Sequence, residues 1–556
     1  MKGLNYIFTV FLLFAIISCA KQSTPMGGAK DETPPKLLSI NPKNQSTNTR
    51  PNTIELEFDE FVKVEQTNKQ LLITPRINKD EMTVIANKNR VIIKLNQDLE
   101  DSTTYVFNFQ KTVKDITEGN VPPNLKLVFS TGPSIDSLSF KGKVSYLFPQ
   151  KDKEMKDVLV GLYEITDTLN VLTGQPYYLS QTDSLGNFSI ENIKAGKYKA
   201  FAWFDGNGSL KAEDKLEPYG FLSEPMSIEE NVEQIQFYLN KADLTPFRIN
   251  RAAAVSGNFD LVLNKTPIEV KVEHDELNSK LFTRLDDKTI RFYHTEIKND
   301  STQVRLLLQD SVGFRIDTTV YAKFLENDRS REKLEYTIGN KRNFLDKLQA
   351  EISFNKPVKE LYLDSAFVRY DSAGIIRLER QLFSLPDSSN RTKLLLTLPT
   401  GPEIAADNFK LFLADSTFLD IENQFNEKKS EIEFKKLKKE NLVDEINVSV
   451  NSEEGPFLIH ILDRRDEIIA EKRIDIGQTA KFTNIEPGTV KIRAILDSNK
   501  NGRWDTSNMN ENRQAERVYY LQGPDGSIEI LIRAGWVLEF PIEPKNLPGI
   551  TAKSEQ

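Results

Sequence analysis

The chain has 556 residues, a net charge of −8 and a single cysteine. One cysteine rules out intrachain disulfides as a source of stability. Basic residues spread evenly along a mildly acidic chain argue against a nucleic-acid partner. Roughly three to five domains are expected at this length, each relying on its own apolar core.

The N-terminal residues carry export signals. Lys2 supplies a positive charge, and Ile7 to Ile17 form an apolar run shorter than the roughly 20 residues needed to span a bilayer. Ile16-Ile17-Ser18-Cys19 follows and resembles the lipobox of bacterial lipoproteins. That resemblance implies cleavage before Cys19 and lipid on its thiol. An unpaired thiol in a secreted chain is otherwise hard to explain. Several acyl chains anchor stably where one does not, so the membrane is an expected partner through the lipid. Residues 1–18 are read as the signal peptide and 19–35 as a lipidated tether rich in Ser, Thr, Pro and Gly.

Beyond the tether, short segments alternate apolar and polar residues. Ile54-Glu55-Leu56-Glu57-Phe58, Tyr105-Val106-Phe107-Asn108-Phe109 and Leu125-Lys126-Leu127-Val128-Phe129 are examples, separated by turn residues such as Asn87, Asn89 and Gly119. Period-two segments with closely spaced turns predict antiparallel sandwiches and an all-β chain. The charged stretch from Asn426 to Asn441 is the nearest candidate for a helix, but Ile432 and Phe434 alternate like a last strand.

Two repeats organise these segments. Asn192-Ile193, Gly196, Lys199, Ala202, Asp205 and Asn207 match Asn484-Ile485, Gly488, Lys491, Ala494, Asp497 and Asn499 at a constant offset. More weakly, Leu56 to Val62 resembles Ile352 to Val358, with Leu261 to Ile268 as a third copy. Closing strands are expected at 127–132, 334–339 and 432–434.

The second of these repeats resembles the bacterial Ig-like domain first described in surface-layer proteins. Its marks are Pro34-Pro35, Phe58-Asp59-Glu60-Phe61-Val62, Thr103-Thr104-Tyr105, Asp115 with Gly119-Asn120, and Phe129-Ser130-Thr131-Gly132. The first resembles the transthyretin-like sandwich found beside carboxypeptidases, on Val160-Gly161-Leu162-Tyr163, Asp183, Gly186-Asn187-Phe188, Gly196 and Tyr198. The expected order is Ig-like over 36–136, transthyretin-like over 137–243, degenerate Ig-like over 244–345, Ig-like over 346–440, transthyretin-like over 441–545 and a tail over 546–556.

Behind a lipobox, this architecture looks like the Ig-like-domain lipoproteins of the Bacteroidota. The resemblance implies a non-enzymatic outer-membrane lipoprotein with an envelope protein partner, including outer-membrane assembly machinery among the candidates. Surface export in that group goes with acidic residues just after the cysteine. Here acid first appears at Asp31-Glu32, which favours the periplasmic face. The alternative is a surface carbohydrate-binding or glycan-processing lipoprotein.

One loop has the residues to hold a metal. Asp497, Asn499 and Asn501 alternate, Gly502 follows for a sharp turn, and Asp505 completes the set with a backbone carbonyl at Arg503. This is how an EF-hand-type loop begins to wrap calcium, although Asn508 stands where a bidentate glutamate is usual. A hairpin loop held by Asx turns would use the same residues. The related loop at Asp205-Gly206-Asn207-Gly208 is a poorer version.

Catalytic spacing is lacking: His274, His294 and His460 read as structural or surface residues, and no motif places a nucleophile beside a base. Trp504, within the polar loop, is the tryptophan nearest to exposure, with a core or loop-anchoring place favoured for it, while Trp203 alternates like core. The whole reads as a string of sandwiches with the Asp497 end free.

Overall fold

The computed structural model describes residues 31–149, 154–213, 215, 217–296, 300–325, 331–371, 374–386, 390–401 and 404–544. Cys19, the signal segment, most of the tether and the 546–556 tail lie outside them. Regular structure is almost entirely strand, and among the described residues no helix is long and apolar enough to cross a membrane.

Among the described residues, five apolar cores sit between pairs of sheets. Alternation builds each one. Along Thr53–Phe58 the residues Ile54, Leu56 and Phe58 turn inward, and along Lys347–Phe354 the residues Leu348, Ala350, Ile352 and Phe354 do so. In the first sandwich Leu37–Asn41, Thr53–Phe58, Arg90–Leu95 and Met82–Asn87 face Leu72–Thr74, Thr104–Asn108 and Lys126–Ser130. The charged stretch of the fourth sandwich is the strand Ser430–Lys436, antiparallel to Asn408–Leu413.

The second and fifth sandwiches share one topology. In each, the first strand is flanked by an antiparallel neighbour and by a parallel last strand: Leu138–Tyr146 pairs with Val232–Leu239, and Glu445–Val450 with Val537–Ile542. Their repeated Asn192 and Asn484 both adopt positive φ, at 58° and 59°. Asparagine tolerates that region better than most residues, and it turns the chain between two strands.

The first, third and fourth sandwiches share a different device. Val62 pairs with Asp115, Pro267 with Asp310, and Val358 with Asp420. Each aspartate is buried, and its carboxylate accepts backbone N–H groups of the turn that follows it.

One expected boundary moves. Tyr336–Ile338 pairs with Lys347–Phe354, and Leu334 and Tyr336 lie in the fourth core. The segment at 334–339 therefore opens the fourth sandwich and does not close the third. Its alternation gives the buried face but says nothing about which sheet it joins.

The chain is also not a string with a free end. Neighbouring sandwiches touch in sequence. Arg76 pairs with Asp167 at 2.5 Å, Lys265 donates to the carbonyls of Asp243 and Thr245, and Phe282 and Tyr293 pack on Ile421. Asn343 then donates to Glu486 at 2.9 Å. The fifth sandwich returns to the second. Asn240 Oδ1 accepts from Thr506 Oγ1 at 2.7 Å and from Ser507 Oγ at 3.0 Å, Tyr219 Oη donates to the Ser507 carbonyl at 3.2 Å, and Gln514 donates to the Phe221 carbonyl at 2.8 Å. Arg513 reaches the Val312 carbonyl of the third sandwich. The last four sandwiches thus close a circuit, with the first attached to the second.

Asn240 is buried at this closure, so removing its side chain leaves the Ser507 hydroxyl without its acceptor and the Thr506 hydroxyl with the Lys241 carbonyl alone. Asn240→Ala is expected to weaken the closure by about 1–3 kcal/mol. Faster amide exchange at 504–514, with exchange in the first sandwich unchanged, would show it.

Candidate functional site

The circuit closes through the loop that follows the strand Gly488–Leu496. Asp497 is the first residue past the strand and is completely buried. Its Oδ1 accepts from Asn501 N at 2.9 Å and its Oδ2 from Gly502 N at 3.1 Å. Lys500 and Gly502 take positive φ, at 62° and 77°, which bends the loop back on its own aspartate. Asn499 and Asn501 both direct their amides at Asp505 Oδ2, at 2.5 and 2.6 Å. Arg503 donates its backbone N–H to Asn501 Oδ1 and sets its guanidinium 3.6 Å from Asp505.

The loop therefore gathers Asp497, Asn499, Asn501 and Asp505, and adds Glu516, which the motif does not single out. Glu516 Oε1 accepts from Ser498 N at 2.7 Å and Oε2 from Asp505 N at 3.0 Å. Burial pushes its carboxyl pKa up, the two N–H groups pull it down, and Asp505 and Asp497 push it up again. A buried carboxylate beside two others is a setting that a cation would favour. Among the described residues, however, no three His, Cys, Asp or Glu side chains already converge on one point. The oxygens offered here are spaced by their hydrogen bonds to the backbone.

The second sandwich repeats this geometry in a shorter loop. Asp205 Oδ1 accepts from Gly208 N and Ser209 N, and Asn207 donates to Glu213 Oε1 at 2.5 Å. Glu217 accepts from Gly206 N at 2.7 Å and from Glu213 N at 3.0 Å. Glu217 and Glu516 thus hold equivalent N–H groups, one and eight positions past the aspartate. Each glutamate stands two residues before the next strand, Tyr219–Phe221 or Val518–Tyr520. That shared placement is the sequence signal for them, hidden by the longer insertion in the fifth sandwich's loop.

The insertion is what docks. Trp504 takes an anchoring place in its loop: it is half-buried and donates Nε1–H to the Glu516 carbonyl at 3.0 Å. Its ring meets Phe148 of the second sandwich edge-on at 4.8 Å, inside a small apolar cluster with Leu147, Leu458, Ile495 and Val518. A polar loop hides an anchor when a neighbouring domain supplies the other wall. Trp203 is fully buried.

The histidines are placed for structure. His274 and His294 each accept a backbone N–H at 3.0 Å, from Glu276 and Glu296. His460 accepts from Arg493 Nε at 3.1 Å and lies 2.9 Å from Glu471. Burial and the Arg493 charge lower its pKa to about 4, so it is neutral at neutral pH. A cleft of about 500 Å³ between the third and fourth sandwiches is lined by Arg284, Lys333, Glu335, Asn355, Glu427 and Lys428. Glu427 is paired with Lys333 at 2.6 Å, and the aromatic rings there, Tyr336 and Phe354, belong to the fourth core.

Because Glu516 satisfies two N–H groups in a buried loop, Glu516→Ala is expected to cost about 1–3 kcal/mol. Urea unfolding measures it, and protease cleavage within 504–514 should rise in parallel.

Comparison with known proteins adds one assignment. No curated protein matches the chain. Similar solved structures include the Bacillus anthracis TIE protein, at 9% identity over 96% of this chain and 78% of that one, with a TM-score of 0.13. The native conformation of E. coli alpha-2-macroglobulin shares 9% identity over 87% of this chain and 42% of that one, at 0.13. The BSP domain of a biofilm-associated protein shares 10% over 87% and 96%, at 0.14. Scores this low say nothing about function. Residues 31–131 match the bacterial Ig-like domain family, so the first sandwich is an Ig-like domain in a chain of tandem β-sandwiches.

Proposed function

We propose that this chain is a non-enzymatic lipoprotein held on the outer membrane by lipid on Cys19, and that it serves as a multidomain interaction subunit of an envelope complex. The observation that carries the reading is Ile16-Ile17-Ser18-Cys19 after an apolar run, with the thiol unique in the chain and an Ig-like domain beginning shortly afterwards. Ig-like domains are non-catalytic modules used for spacing and contact. The three histidines hold turns and sheet contacts, which accords with a binding role. The partner is an envelope protein, with the outer-membrane assembly machinery a candidate, and the face is periplasmic.

A calcium ion in the 497–516 loop belongs to the same proposal. Asp497, Asn499, Asn501, Asp505 and Glu516 supply the oxygens, together with the Arg503 carbonyl. With only some of these charged, the dissociation constant should fall in the weak extracellular range of about 10⁻⁴–10⁻³ M. Its effect would be to tighten the insertion that docks on the second sandwich.

Cys19→Ser is expected to move the protein from the membrane fraction to the soluble fraction while leaving it folded. Retention of the variant on membranes would refute the anchor, and wild type recovered from solubilised membranes only as a free monomer would refute the complex. Calorimetric titration of calcium into wild type and Asp497→Ala tests the loop, and identical heats would end that part of the proposal.

A further inference from the structure

The third and fourth sandwiches receive the preceding unit of the chain at the turn that follows their buried aspartate. In the fourth, Ile421 follows Asp420, donates its backbone N–H to the Pro357 carbonyl at 3.1 Å and is buried under Phe282 and Tyr293 of the third sandwich. In the third, Val312 stands two residues past Asp310 and is completely buried in a cluster with Trp203 and Tyr219 of the second sandwich. The connecting chain arrives at the same end. Lys356 Nζ donates to the Glu332 carbonyl, and Lys265 Nζ donates to the carbonyls of Asp243 at 3.0 Å and Thr245 at 2.7 Å. The aspartate turn of such a sandwich is therefore an apolar seat for whatever comes before it.

The first sandwich presents the same seat, open to solvent. Strand register sets the equivalence, because Val62 pairs with Asp115 as Val358 pairs with Asp420 and Pro267 with Asp310. Ile116 then takes the place of Ile421, and Phe61 that of Pro357. Ile116 N donates to the Phe61 carbonyl at 3.2 Å, repeating the bond at the fourth sandwich's turn. Yet Ile421 is 4% exposed, whereas Ile116 is 51% and Phe61 59% exposed. The arriving chain is fixed at this end too. Asn120 Nδ2 donates to the Asp31 carbonyl at 2.9 Å, and Lys36 N donates to Asp59 Oδ1 at 2.7 Å. Leu38, two residues on from Lys36, is 64% exposed.

We propose that Phe61, Ile116 and Leu38 rest on the lipid surface to which Cys19 is attached, so that the bilayer fills the seat that a preceding sandwich fills in the third and fourth. The inference rests on the reading of Cys19 as lipidated. On that reading the unit before the first sandwich is a short tether ending on a membrane. Cys19 and Asp31 are twelve residues apart, a span of at most about 40 Å. Ala20 to Lys30 contains no aromatic or branched aliphatic residue, so the tether offers little to cover three large apolar side chains. It does hold the seat within reach of the bilayer, which raises the effective concentration of one at the other. Shallow insertion of a few apolar side chains is then enough. Asp59, Glu60 and Glu118 lie close by in sequence, so the surface that fits is zwitterionic, and anionic lipid would repel it. The first sandwich would stand with its aspartate turn against the membrane.

The test uses the full lipidated chain in phosphatidylcholine vesicles, with one added cysteine to carry a fluorophore, since lipid blocks the Cys19 thiol. Glu118→Cys puts the label at the seat, and Asp525→Cys puts it on an exposed turn of the fifth sandwich. Nitroxide-bearing lipid should quench the label at 118 about twofold and leave the label at 525 unchanged. Phe61→Ser combined with Ile116→Ser should abolish the quenching at 118 while the protein stays on the vesicles. Leu38→Ser alone should weaken it, and exchanging part of the neutral lipid for anionic lipid should weaken it as well. All three side chains are exposed, so an unchanged thermal midpoint is expected for each variant. A label at 118 that stays unquenched on vesicle-bound protein would overturn the proposal, as would quenching that survives the double substitution. So would shielding of that label only in native membranes, since a protein would then fill the seat. Failure of the anchor is told apart beforehand, because a chain without lipid on Cys19 is missing from the vesicle pellet.

Discussion

The shape of the molecule depends on a small buried polar contact, the acceptance by Asn240 Oδ1 of hydrogen bonds from Thr506 and Ser507. Sandwiches joined by short connections can be extended or folded back, and nothing in their separate cores decides between these. The 504–514 insertion holds the folded-back arrangement by placing polar donors against Asn240 and an aromatic ring against Phe148, beside a buried apolar cluster that joins Leu72 and Val312 to Trp203 and Tyr219 of the second sandwich. A hydrogen bond inside a closed interface gains little over water, yet its loss leaves buried groups unpaired. That asymmetry makes the contact selective, because alternative dockings would strand the same donors.

Buried charge does related work within the third and fourth sandwiches. A lysine–aspartate pair is a poor source of net stability, since desolvation consumes most of the attraction. What it supplies is position. Lys356 joins the Glu332 carbonyl to the Asp420 turn, and Lys265 joins the Asp243 and Thr245 carbonyls to Asp310. In each case the segment arriving from the previous domain is held at a defined point.

Much of this was legible in the sequence, and the failures have physical causes. Alternation at Ile54, Leu56 and Phe58 gave the strand and its inward face, because burial on one side leaves a period of two. The same alternation at Leu334 and Tyr336 could not say which sheet would take it. The parallel pairing of Leu138–Tyr146 with Val232–Leu239 was invisible for the same reason. Lys356 and Lys265 look like surface residues, since lysine is almost never fully buried unless paired. Only aligning the repeats, and then seeing their register, exposes them. In the candidate loop, the gathering of Asp497, Asn499, Asn501 and Asp505 was readable, while Glu516 was not, because a folded insertion separates it from the motif. The ring that Trp504 packs against was not legible, because Phe148 is hundreds of residues away in the chain.

The circuit also constrains where a partner could bind. The end loops of the fifth sandwich, a natural docking surface for such a fold, are spent on contacts with the second and third. The large apolar side chains left in solvent in that sandwich lie elsewhere, with Ile468 and Ile469 on one outer strand and Val537 on another. In the first sandwich they include Leu38, Phe61 and Ile116. Phe61 and Ile116 are joined by a backbone hydrogen bond and flank Glu60 and Asp115 in sequence. Apolar side chains beside concentrated negative charge form a surface whose affinity depends on what neutralises that charge.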